Sequence, residues 1–202
     1  MLNSLAVFRA NIHEATALNA VHEYLENTIA APVSFDDLFR SKLVYSVSAF
    51  DKLIHDLIRI GMVEIFRGSR PPTSKYLAEP IALSMFNELH LATTPPAEYI
   101  FERTIMKKLK TLSFQDPDKL ADGLSYIWPE NQKWASIASA LGLDYNTART
   151  TLRLIADRRN CIVHEADMDP LTNQRYPITK SECDDVTNFL LRTGQAIVGL
   201  VT

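Results

Sequence analysis

The stretch Tyr145–His164, YNTARTTLRLIADRRNCIVH, decides the fold class. It reads as one long amphipathic helix, about 30 Å at 1.5 Å per residue. Gly142 ends the segment before it, and Asp144 is placed to start it as an N-cap. Upstream, Glu130–Leu141 reads as another helix. Asp116-Pro117, a cap followed by proline at the first helical position, opens a helix over Asp118–Ile127. Thr93-Thr94-Pro95-Pro96 separates a short amphipathic piece at 80–91 from a helix over Ala97–Leu112, and Gly68–Ser74 reads as a loop.

Ser34 is the expected N-cap of a long second helix that runs through Phe50, Leu53, Ile54 and Leu57 toward Phe66. Asp36 and Asp37 lie at its positive end. A first helix is expected over Ser4–Ala30, with Leu5, Phe8, Ile12, Ala15, Leu18, Val21, Leu25 and Ile29 in one apolar stripe and a stop at Ala31-Pro32. Downstream of His164, a loop over Met168–Pro177 leads to Thr179-Lys180-Ser181-Glu182. That is a capping box launching a final helix through Leu190 and Ile197. The whole is an all-α helical bundle, expected as a single domain over 1–202.

Composition agrees. Glycine numbers 6 in 202 residues, well below the usual ~7%, and sheets and their turns use glycine freely. Hydrophobic residues make up 47% and charged residues 22%, an ordinary globular balance that excludes disorder as the main theme. The net charge of −3 argues against a broad basic surface, though it leaves room for a local cationic site. Cys161 and Cys183 form neither a disulfide framework nor a metal-ligand spacing, so a reducing, cytoplasmic setting is expected. No segment is long and apolar enough to suggest a membrane span or a signal peptide.

Phosphate-loop, His-Glu-x-x-His, Cys-x-x-Cys and Gly-x-Ser-x-Gly motifs are missing. Chemistry concentrates instead at the end of the long helix. Arg159 offers forked donors suited to phosphate, and His164 a group that titrates near neutrality. Together they could cleave RNA without a metal or cofactor: the imidazole moves a proton, and the guanidinium stabilises the phosphorane-like transition state. On a regular helix the two stand about 140° apart, whereas Asn160 and His164 stack. Either the Arg159 stem reaches around, or the helix distorts, or a twofold partner completes the site with a second histidine.

At these residues the chain resembles a known family. Arg159-Asn160 followed by His164 is similar to the HEPN signature. The wider run from Arg158 through Glu165, Ala166 and Asp167 to Pro170 resembles its RiboL-PSP-HEPN branch. So do Phe39–Leu57, Ser113–Pro117 and Pro177–Thr179, and the resemblance covers roughly residues 35–200. It implies a helical bundle, usually dimeric, often a metal-independent RNase in toxin–antitoxin, defence or RNA-processing settings, and in some members a non-catalytic binding module. It implies Arg159 and His164 as the catalytic pair with Asn160 assisting, an RNA substrate, a homodimer, and an antitoxin or other protein partner.

Five further sets of residues bear on the site. Asp51 and His55, four apart, either support the cleft by orienting Arg159 or tie two helices together. Arg158 and Glu165 flank the motif as supporting groups. Arg149 and Arg153 are either a rim guiding RNA phosphates or a solvated face with Arg153 pairing Asp157. Asp167 and Asp169 read as solvated turn residues rather than a metal site. Finally, Trp134–Arg153 can be read as helix-turn-helix, with Thr147, Arg149 and Arg153 toward DNA. The acidic net charge and Asp157 weaken that reading.

Overall fold

The computed structural model describes residues 1–29 and 32–202. Among these lie nine helices and no strand: α1 Leu2–Thr28, α2 Asp37–Phe66, α3 Ser74–Leu77, α4 Leu83–His90, α5 Ala97–Leu109, α6 Pro117–Leu124, α7 Lys133–Leu141, α8 Tyr145–His164 and α9 Lys180–Val201. Ala30 and Ala31, on which the expected end of the first helix falls, lie outside the described residues.

The helix starts follow their capping chemistry. Asp144 accepts the Thr147 N–H, Asp116 accepts those of Asp118 and Lys119, and Thr179 with Glu182 closes a full capping box. Gly142 ends α7 at φ +69°, a left-handed conformation that a side chain would strain. Three details differ from expectation. Ser34 Oγ accepts the Asp36 N–H at 3.1 Å, so it orders the turn before α2 and Asp36 takes the cap position. Glu130 likewise accepts the Gln132 N–H at 2.8 Å, which makes a turn and delays α7 to Lys133. Inside the expected Gly68–Ser74 loop, Thr73 accepts the Tyr76 N–H and nucleates the one-turn α3.

α2 is the axis of the bundle. It packs against α1, α5, α6, α8 and α9, and Phe50, Ile54, Leu57 and Ile58 are all fully buried. α1 contributes Phe8, Ile12 and Ala15, α9 Leu190 and Ile197, α8 Leu152, and α7 Ile137. The apolar stripe of α1 is covered only in its first half: Val21 and Ile29 are exposed, and His22 stacks on Phe39 with ring centroids 4.1 Å apart.

A buried cation also ties this core. Lys42 is 0% exposed, and its ammonium donates to Asp184 on α9 and, at 3.2 Å, to Asn19 on α1. Burial alone would raise the Asp184 carboxyl, but the Lys42 and Asn19 hydrogen bonds outweigh it and hold the group below its ordinary value. A depressed carboxyl stabilises the fold above its unfolded-state pKa, and that contribution disappears as pH falls through the folded value.

Gly194 on α9 lets α1 and α2 approach. A Cβ there would lie 2.5 Å from the Phe8 ring and 2.9 Å from Leu53, whereas a Cβ on Gly199 meets nothing within 4 Å. Gly194→Ala should therefore destabilise the protein by about 1–3 kcal/mol through overpacking. Gly199→Ala in the same helix should stabilise it by up to about 1 kcal/mol. Urea titration of both variants against the parent protein checks the pair, and equal shifts would contradict the packing described.

Candidate active site

α8 is an uninterrupted helix through His164, so the arginine and histidine of the motif leave it on different sides. Ala148, Leu152, Ile155 and Ala156 face the core. Asp157, Asn160 and His164, spaced by three and four, form an exposed stripe at the opposite side. Arg159 continues the core-facing seam, four residues beyond Ile155 and seven beyond Leu152, and is half-buried. It lines a cleft of about 460 Å³ together with Asp51, Lys52, His55, Asp56 and Arg59.

Arg159 Nη1 donates to Asn160 Oδ1 at 3.1 Å, and the buried Nε has no partner. Among the described residues no carboxylate pairs with this guanidinium. Arg159 Nη1 thus meets its sequence neighbour Asn160, which stands one turn from His164 on the exposed stripe. His164 is exposed in the last turn of α8 and is not part of the cleft lining. Glu165, also exposed, follows as the C-cap, and its N–H donates to Cys161 O at 3.0 Å.

Asp51, placed in the cleft by the second helix, accepts the Phe114 N–H through Oδ1 at 2.6 Å. Its Oδ2 lies 3.7 Å from His55 Nε2, and the His55 ring meets the Phe114 ring edge-on at 4.7 Å. The pair thus ties α2 to the Ser113–Gln115 segment and forms one wall of the cleft at the same time. The other cations there are partly engaged. Lys52 and Arg59 share Asp56, at 2.7 and 3.5 Å, and Arg59 also pairs with Glu102.

Arg158 does not line the cleft. Its Nη1 lies 2.7 Å from Asp167 Oδ1, its Nη2 donates to Asp167 Oδ2 at 3.0 Å and to Pro177 O at 3.1 Å, and its guanidinium lies over the Tyr176 ring. This corrects the reading of Asp167 as a solvated turn residue: it is 0% exposed, because Arg40 Nε donates to the same carboxylate at 2.7 Å. Asp169 does behave as a turn residue and accepts the Leu171 N–H at 2.8 Å. Ala166 and Asp167 both take left-handed backbone, φ +54° and +60°, at a cost of roughly 1–2 kcal/mol each for a side-chain-bearing residue. Asp167 and Arg40 were not recognisable as partners in sequence. They lie 127 positions apart, and no local pattern joins an arginine in the first turn of one helix to an aspartate beyond the end of another.

Arg149 and Arg153 both turn to Asp118 on α6, Arg153 at 2.9 Å, so Arg153 pairs across helices rather than with Asp157. The α7–Gly142–α8 hairpin of the helix-turn-helix reading is present. Its two arginines, however, are both paired with Asp118 on α6.

Asp51→Ala should lower stability by about 1–3 kcal/mol, the cost of leaving a half-buried N–H unpaired. Asp51→Asn keeps an acceptor oxygen and should lose less. Thermal unfolding of the two variants distinguishes them, and the Phe114 amide should exchange faster only in the alanine variant.

The sequence model of the family described as RiboL-PSP-HEPN matches residues 10–202. No curated protein and no solved structure shows significant similarity to the chain. No helix among the described residues is long and apolar enough to cross a membrane. With an all-helical bundle and a family match over nearly its whole length, the chain belongs to the RiboL-PSP-HEPN family.

Proposed function

We propose that this protein is an endoribonuclease that cuts RNA by attack of a 2′-hydroxyl on the adjacent phosphate. The observation that carries the reading is Arg159. Among the described residues its guanidinium has no carboxylate partner, and its Nη1 donates to Asn160, one turn from His164 on the exposed stripe. A HEPN-type module with such a pair has the groups for phosphodiester chemistry. The surroundings suit the substrate: Lys52, Arg59, Lys110 and Arg159 outnumber Asp51 and Asp56 in the cleft, in a chain whose net charge is −3.

In the reaction a neutral His164 takes the proton of the 2′-hydroxyl as its oxygen bonds to phosphorus. Arg159 hydrogen-bonds the non-bridging oxygens as negative charge builds on the phosphorane. The bond from phosphorus to the 5′-oxygen then breaks, and that oxygen receives a proton from a second, protonated imidazole. The products are a 2′,3′-cyclic phosphate and a 5′-hydroxyl end. One His164 cannot serve comfortably as base and acid on opposite sides of one phosphate, so the second imidazole is assigned to a twofold-related copy. The regular helix supports this, since it sends Arg159 and His164 apart within one chain. A toxin–antitoxin, defence or RNA-processing role, with a protein partner that restrains the activity, is the matching biological setting.

Purified protein should cut single-stranded RNA in excess chelator. His164→Ala and Arg159→Ala should each lower the rate by about 10²-fold or more while circular dichroism stays that of the parent. Cleavage unaffected by both substitutions would overturn the mechanism. RNA retention without cleavage under any condition would make the protein a non-catalytic binding module instead. Sedimentation at micromolar concentration should give a dimer, and excess His164→Ala protein should depress the activity of the parent, because the shared cleft of a mixed dimer holds a single imidazole. A strict monomer would rule out the shared site.

A further inference from the structure

We infer that Asp167 is a positioning residue for His164, through a buried ion-pair knot that sets where the imidazole stands. This rests on the nuclease reading above for its kinetic consequence, but the knot itself is independent of it.

His164 makes no side-chain hydrogen bond or ion pair among the described residues, and its ring is exposed at the end of α8. Its position is therefore set by the backbone that carries it. That backbone reverses at once: Glu165 ends the helix, Ala166 and Asp167 take left-handed conformations, and the Asp167 N–H returns to Cys161 O at 3.0 Å. The reversal drives the Asp167 side chain inward to complete burial, between Arg40 Nε at 2.7 Å and the Arg158 fork at 2.7 and 3.0 Å. Both guanidiniums are fixed in turn. Arg40 Nη2 donates to Tyr176 O at 2.7 Å and Arg158 Nη2 to Pro177 O at 3.1 Å, while Tyr176 N–H donates to Asp167 O at 2.9 Å.

One carboxylate thus joins the start of α2, the last turns of α8 and the returning loop. A buried carboxylate facing two cations has few alternative arrangements, because separating any member leaves an uncompensated charge away from water. Arg159 is held differently, by Asn160 and by the cleft. Loosening the knot should therefore disturb the histidine more than the arginine.

Asp167→Asn keeps the shape and removes the charge. Arg158→Lys keeps the charge and removes the fork, and serves as the gentler variant. Two quantities are read with one single-stranded RNA: kcat on the RNA itself and Kd for its fully 2′-O-methylated counterpart, which cannot be cut. In addition, the His164 ring resonance is followed by NMR at fixed pH, with His13 and His90 as internal controls. We expect kcat to fall about tenfold or more in Asp167→Asn, and less in Arg158→Lys, with Kd within about twofold of the parent. The His164 resonance should shift or broaden while the controls stay in place. An unmoved His164 resonance with parental kcat overturns the inference. So does parallel loss of kcat and affinity, or unfolding of both variants, since the knot would then serve the fold alone. Should the parent protein cut no RNA, the nuclease reading fails on its own, and the ring resonances still decide whether Asp167 places His164.

Discussion

A helix buried on nearly every side must find a partner for each polar group it carries, and α2 is such a helix. Its apolar residues make the core, so the polar residues among them define the remaining connections. Lys42 reaches α1 and α9, Ser46 Oγ lies 3.1 Å from Thr187 Oγ1, Arg40 reaches the loop beyond α8, and Asp51 holds the segment before α6. An unpaired group at any of these places would cost a large share of a marginal stability. The same requirement shapes the site: Asp51 and His55 wall the cleft, and Arg40 fixes the end of α8.

Much of this architecture was legible in the sequence because local rules govern it. Apolar spacing and caps such as Asp144, Asp116 and Thr179 with Glu182 depend on neighbours a few residues away, and the structure keeps them. The differences come where a second local interaction competes. Ser34 and Glu130 are good capping residues that cap a turn just outside the helix instead, and Thr73 starts a helix too short for periodicity to reveal.

The candidate residues could be named from type and spacing, but their arrangement could not. Arg159, Asp51 and His55 come together in one cleft, and Asn160 links the arginine to the stripe of His164. The buried state of Asp167 could not be read, because an aspartate following a helix usually meets water. Its burial depends on Arg40, contributed from the far end of another long helix. Both residues lie in stretches that resemble the family, yet resemblance names positions and says nothing of which pairs touch.

Four arginines stand on α8, and their partners separate their roles. Arg149 and Arg153 meet Asp118, and Arg158 meets Asp167. An incoming phosphate must displace an existing carboxylate to engage any of these three, losing one charge-assisted contact for each it gains. Among the described residues Arg159 is bonded only to a neutral amide, so a phosphate oxygen can take up its remaining Nη donors at no such loss. Motif spacing alone does not distinguish Arg158 from Arg159, since both precede His164 within two turns. The distribution of carboxylates does, and it leaves as the open cation the one that faces the cleft.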